Sequence, residues 1–299
     1  MGTLIAMRYG IADGLADHTY VKCSTGNVAW GCFGGKTGGN PLRHGDGSTK
    51  QADRIAGPSE NGNLNCYLIN GVCHQAANRI LFPAGVTVSG ASGYNVSRSL
   101  FGTYGRTNGL FGSCKSPFNQ YSDVEGDLLE RETRVMESAD IAYSQGQALA
   151  APVISQVEQD DIQGEIKLYQ QANWAWSEEL GIKLFTHMVG SQLSLGVTDN
   201  LKNQLIDVRA AIEKKRMETE EALYHEDLSL KDYAEAFDEL TITFQRQTAE
   251  ILNSNQYETL FGLKPENMIT LAEPDIISPP TSDKSIDQEE DMPRGPTHG

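Results

Sequence analysis

Chemistry in this chain would start at Cys73. The run Gly71-Val72-Cys73-His74-Gln75-Ala76-Ala77-Asn78-Arg79-Ile80-Leu81 carries Ala76, Ala77, Ile80 and Leu81 at helical spacing and is closed by Pro83 and Gly85. It predicts a helix whose first turn holds the cysteine. At that position unpaired N–H groups and the helix dipole favour negative charge, and a thiolate is the nucleophilic form of cysteine. Activation needs an imidazole within reach. His18 opens the β-forming run HTYVKC at 18–23 and is the candidate base. His74 follows Cys73 directly, so on a helix it points roughly 100° away from it. A third residue would orient the imidazole. His44 is the candidate, with Asn40 and Asp46 as alternatives in the same loop. An oxyanion would be held by the Cys73 N–H and one further donor, from Gly71 or Gln75. The competing reading makes Cys73 a small buried hydrophobe and His18 an ordinary strand histidine.

The order of a histidine on an early strand and a cysteine opening a later helix resembles the circularly permuted NlpC/P60 branch of papain-like cysteine hydrolases, to which the lecithin:retinol acyltransferase-like proteins belong. The residues that carry the likeness are His18-Thr19-Tyr20-Val21 and Asn70 to Arg79, within roughly 15–90. Val72 stands where that branch has an asparagine before its nucleophile, and the His–Cys separation is short for it. The resemblance implies a small papain-like α/β domain, a peptide or acyl substrate, an acyl-enzyme and no cofactor.

Other features carry less chemistry. The five cysteines (Cys23, Cys32, Cys66, Cys73, Cys114) are odd in number and form no C-x-x-C pair. No disulfide framework and no metal site are expected, since a zinc set from Cys23, Cys32, Cys66 and a histidine follows no known spacing, and Cys66 reads as core. Gly34-Gly35-Lys36-Thr37-Gly38-Gly39 lacks the order of a phosphate-binding loop and reads as a mobile flap.

The elements that must position these residues divide unevenly. Residues 1–120 hold all five cysteines, 21 of the 30 glycines, and 10 Lys+Arg against 5 Asp+Glu. Residues 121–270 hold 12 against 28. This split predicts an α+β chain: a thiol-hydrolase domain at 1–118, an acidic antiparallel helical domain at 119–270, and a polar disordered tail at 271–299. Beyond the hairpin at 18–23 and 28–33, residues 34–48 read as loop, VTVS at 86–89 as a strand, and 90–113 as aromatic-anchored loops. Helices are expected over 123–159, 162–195, 199–225 and 229–255, with Asp199 and Ser229 as N-caps. The charge runs Glu213–Arg216 and Glu218–Glu221 read as solvated faces.

The acidic balance argues against nucleic acid as a partner. No apolar stretch approaches a membrane span, and no secretory signal is evident, so a cytoplasmic protein, or one exported without a cleavable signal, is expected. The functional expectation is a cysteine-nucleophile hydrolase, a peptidase, amidase or acyl-ester hydrolase. The alternative is a non-catalytic interaction protein whose acidic helical arm docks a partner protein.

Overall fold

The computed structural model describes residues 2–24, 28–31, 33–106, 154–193 and 197–273, with the short strands β5 (Asn108–Gly109) and β6 (Gly112–Ser113). The chain is α+β. Cys32, Cys114, the boundary at 118/119 and most of the helix expected over 123–159 lie outside the described residues.

Strands β1 (Gly2–Ile11), β2 (Ala16–Cys23), β3 (Ala29–Trp30) and β4 (Asn40–Gly47) form one antiparallel sheet in the order β3-β2-β1-β4. The expected hairpin is present, with Val21 opposite Trp30. Two strands escaped the sequence reading. The first is β1, which buries Leu4 and Ala6. The second is β4, at the edge of the sheet, where exposed positions tolerate polar residues and Pro41 sits at the bulge opposite Met7. The glycine loop before β4 is tied down, because the Tyr20 hydroxyl donates to the Gly38 carbonyl at 2.5 Å and Lys36 pairs with Glu60. Residues 86–88 form no strand; the Asn78 carboxamide instead accepts from the Val88 N–H at 2.8 Å.

Helices α1 (Thr49–Ala56) and α2 (Cys73–Leu81) pack against the sheet, and α3 (Tyr94–Phe101) lies beside α2. The glycine punctuation around α3 marks helix ends, with Gly93 and Gly102 both at positive φ. The helical region comprises α4 (Gln156–Gln171), α5 (Glu178–Gln192), α6 (Asp199–Tyr224), α7 (Leu230–Ile251) and α8 (Ser254–Phe261). The helix expected over 162–195 is broken at 172–177, where Asn173 and Trp174 take positive φ. Trp174 stacks on Tyr169, and Trp176 is buried. Ser229 caps α7 as expected; α6 is capped by Thr198, so Asp199 is its first residue.

The largest departure is on α6. Its inward face reads Leu205, Arg209, Ile212, Glu213, Arg216, Glu220, Leu223. The charge runs expected on solvated faces are therefore divided, with Glu213, Arg216 and Glu220 turned inward and Lys214, Lys215 and Glu218 outward. Adjacent residues on a helix lie 100° apart, so a charged run in sequence spreads over several faces.

The inward charges tie the two regions together. Arg209 donates to the carbonyls of Ser99 and Leu100 at 2.7 and 2.9 Å, closing the C-terminal end of α3. Arg106 pairs with Glu220 at 2.7 Å, and Arg98 with Asp161 at 2.7 Å. Glu165 joins Arg98 and also accepts from the Thr103 N–H at 3.1 Å. The basic first region and the acidic helices thus meet in buried ion pairs.

His187 of α5 sits at the margin of this network. A Cβ at Gly164 would collide with its ring, so glycine allows α4 and α5 to approach there. The Asp161 contact raises the His187 pKa against the opposing effect of burial. Burial would raise that of Asp161, but His187 and then Arg98 hold it below the usual carboxylate value. A raised histidine pKa stabilises the fold fully below the unfolded value of about 6.5 and loses that contribution as pH rises through the folded value. The depressed Asp161 sets the acid limit of the window, because its contribution is lost as pH falls through its folded value. His187→Gln is expected to cost up to about 1 kcal/mol at pH 6 and less at pH 9, read as melting-temperature differences from the parent chain.

The expected tail boundary at 271 falls early. Ile269 and Leu271 are buried, and residues 271–273 are held by side chains of the body. Truncation after 277 is expected to leave the melting temperature unchanged. Truncation after 267 removes both apolar anchors and is expected to cost about 3 kcal/mol, measurable by urea denaturation.

Candidate active site

His18 lies on β2 opposite Tyr9, whose ring stacks on the imidazole with centroids 4.8 Å apart. Cys73 opens α2, as expected. Gly71 sets that start with φ +155, and a Cβ there would come within 2.8 Å of the Gln75 Cβ. The Cys73 N–H belongs to the first helical turn, whose donors have no intrahelical partner.

Glu273 is the third member, and the sequence reading missed it. One ring nitrogen of His18, the Cys73 Sγ and one Glu273 carboxylate oxygen all lie within 4.8 Å of one another. His18 Nδ1 is 3.5 Å from Glu273 Oε1, an ion-pair separation at the outer limit for a hydrogen bond. Neither ring nitrogen makes a conventional hydrogen bond, although the imidazole is wholly buried. Burial alone would lower the His18 pKa. Contact with the Cys73 side chain, and then with Glu273, outweighs it and raises the value to about 10.

Glu273 is delivered by a strap of backbone fastened to α7. Asp238 accepts from the N–H groups of Leu271 and Ala272 at 3.0 and 2.9 Å. Gln245 both accepts from and donates to the backbone of Ile269, at 3.1 and 2.7 Å. The Tyr67 hydroxyl donates to the Leu271 carbonyl and accepts from the Glu273 N–H at 3.1 Å. Asp238 and Gln245 are seven residues apart, hence on one helix face. That polar pair on a helix otherwise buried by Tyr233, Phe237 and Phe244 is the signal in the sequence that could have pointed to a bound segment.

The other sequence candidates sit elsewhere. His44 is exposed on β4 opposite Ile5, across β1 from β2 and four residues along β1 from Tyr9. Asn40 is exposed opposite Arg8, and Asp46 accepts from the Thr3 hydroxyl at 2.9 Å. None of the three belongs to the His18–Cys73 cluster; the carboxylate that lies beside His18 is that of Glu273.

Gln75 is no free oxyanion donor. Its Nε2 donates to Ser97 Oγ and the Gly102 carbonyl, and its Oε1 accepts from the Val72 N–H. Gly71 serves as a backbone hinge, its carbonyl accepting from the Leu68 N–H. His74 is turned away from the thiol. Its Nε2 faces the Asp17 carbonyl at 3.0 Å and its Nδ1 the Ser97 hydroxyl at 2.9 Å, and burial lowers its pKa to about 4.

Cys73 is 3% exposed and the Glu273 side chain 26%, so the site opens to solvent on the Glu273 side. Cys23 and Cys66 take no part in the cluster, and Cys66 is only half-buried. A cleft of about 620 Å³ lies at the far end of β2, lined by Lys22, Cys23, Val28 and Lys36. Among the described residues, no helix is long and apolar enough to cross a membrane. No family model, curated protein or solved structure matches this chain.

Proposed function

We propose that the chain is a cysteine-nucleophile hydrolase acting on an amide or ester through an acyl-enzyme, as its likeness to the permuted NlpC/P60 branch suggests. The observation that carries the reading is the convergence of Cys73, His18 and Glu273, from a helix start, a strand and the C-terminal strap, in one cluster with its thiol and imidazole buried and its carboxylate partly exposed. In the reaction the Cys73 sulfur attacks the substrate carbonyl as a thiolate, with His18, held protonated at neutral pH by its contacts with Cys73 and Glu273, as its counter-ion. The resulting oxyanion is met by the Cys73 N–H. His18 gives its proton to the departing amine or alcohol, then activates the water that releases the acid. Glu273 offsets the charge that the imidazole carries between those steps. An acyl transferase would use the same groups with a different acceptor.

Substrate must reach the buried thiol from the side on which Glu273 meets solvent. Burial of Cys73 is also what favours the rival reading, a non-catalytic protein that docks a partner on its acidic helices. Iodoacetamide labelling with the modified cysteine mapped separates the two. A hydrolase gives preferential alkylation of Cys73 that slows in His18→Ala. Labelling confined to Cys23, Cys66 or Cys114, with Cys73 untouched, supports the rival.

A further inference from the structure

We propose that Cys73, His18 and Glu273 also form a binding site for a soft divalent cation of the zinc type, which reversibly blocks the thiol. The blocking half rests on the hydrolase reading; the binding half does not. Two observations lead to it. The first is the donor set, one thiol sulfur, one imidazole nitrogen and one carboxylate oxygen within 4.8 Å of one another. These are the ligand types that zinc takes, at about 2.3, 2.0–2.1 and 2.0–2.2 Å. Around a tetrahedral ion such ligands stand roughly 3.3–3.7 Å apart. His18 and Glu273 already stand at 3.5 Å, so the widest separation, which involves the Cys73 sulfur, needs to close by about 1 Å. The second is His18 itself, a wholly buried imidazole whose ring nitrogens both lack a hydrogen bond. Buried polar groups are nearly always partnered.

The geometry differs from that of a simple proton relay. In a relay the thiol and the carboxylate face opposite nitrogens of the ring. Here a single ring nitrogen lies within 4.8 Å of both. Three protein ligands leave a fourth position for water on the side where Glu273 meets solvent. Binding is ligand exchange without redox change: the ion takes the sulfur as thiolate and the imidazole as neutral base, and their protons pass to solvent. With its sulfur lone pair and its base engaged, the cluster cannot attack a carbonyl.

The test is titration of the chelator-treated full chain with Co²⁺, followed by displacement with Zn²⁺. One equivalent of Co²⁺ is expected to give sulfur-to-metal charge-transfer absorption in the near ultraviolet. The band should be absent in Cys73→Ala and retained in Cys66→Ala. Glu273→Gln, at the partly exposed member, is expected to weaken binding by more than the roughly 10–100-fold that loss of an outer-shell partner costs. Absence of the band in the parent chain, or its persistence in Cys73→Ala, overturns the site. Acylation of the metal-free chain by an activated ester is measured alongside. Acylation that continues with one equivalent of Zn²⁺ bound overturns the blocking role. Metal binding without any acylation supports the site and counts against the hydrolase reading alone.

Discussion

Replacing His18 with alanine lowers the rate of Cys73 acylation by about 10³-fold, within the range that a positioned general base supplies. Cys73→Ala removes the reaction down to background, and the double variant is no slower than Cys73→Ala, because nucleophile and base act as one unit. Glu273→Gln costs less, roughly tenfold. Its carboxylate is partly exposed, and such a charge contributes about 1 kcal/mol, close to one decade in rate. His44→Ala leaves the rate unchanged, since that side chain is exposed on the edge strand. The measurement is stopped-flow release of nitrophenolate from an activated ester, with melting temperatures taken for every variant to separate lost chemistry from lost fold. Equal rates for parent and His18→Ala would remove the base from the account.

The second large effect is on stability. Glu213→Ala is expected to cost about 3–5 kcal/mol, because it takes the carboxylate from buried Arg209 and one of two from buried Arg216, which keeps Glu220. Glu213 accepts from Arg209 at 2.7 Å and also pairs with Arg216, and all three side chains are at most 1% exposed. Burial alone would raise the Glu213 pKa, but Arg209 and then Arg216 hold it far below the ordinary carboxylate range. The loss should spread beyond α6, because Arg209 also closes the end of α3. Glu218→Ala, one turn away on the exposed face, is the control and should stay within about 0.5 kcal/mol. Urea denaturation of the two variants checks the pair. A Glu213→Ala midpoint no lower than that of Glu218→Ala would show that the buried network does not stabilise the fold.

What was legible in the sequence followed from local physics. The start of α2 could be read from Gly71, the Ala-Ala and Ile-Leu spacing and Pro83, and His18 from a β-rich run. The structure places a His18 ring nitrogen and the Cys73 sulfur within 4.8 Å of one another. The helical region was legible from apolar periodicity, although the break at 172–177 depends on backbone conformations at Asn173 and Trp174 that no residue type there announces. Strand β4 was hidden because an edge strand with one exposed face need not look hydrophobic. The inward charges of α6 were hidden because a buried arginine and an exposed one are the same letter, and only the partner, such as the Ser99 carbonyl, distinguishes them. Glu273 was hidden for a third reason. It stands 200 residues from Cys73 in a short segment without regular periodicity, and its place is set by Asp238, Gln245 and Tyr67, none of which forms a motif with it.

The central claim is that Cys73 forms an acyl-enzyme with the help of His18. Its most direct test is intact-mass analysis of the full chain after brief exposure to p-nitrophenyl acetate, with peptide mapping of the adduct. The account predicts a single acetyl group on Cys73 that disappears with time as the thioester is hydrolysed, and that accumulates far more slowly in His18→Ala. An acetyl group found only on lysines or on another cysteine, or a Cys73 adduct formed equally fast without His18, would contradict it.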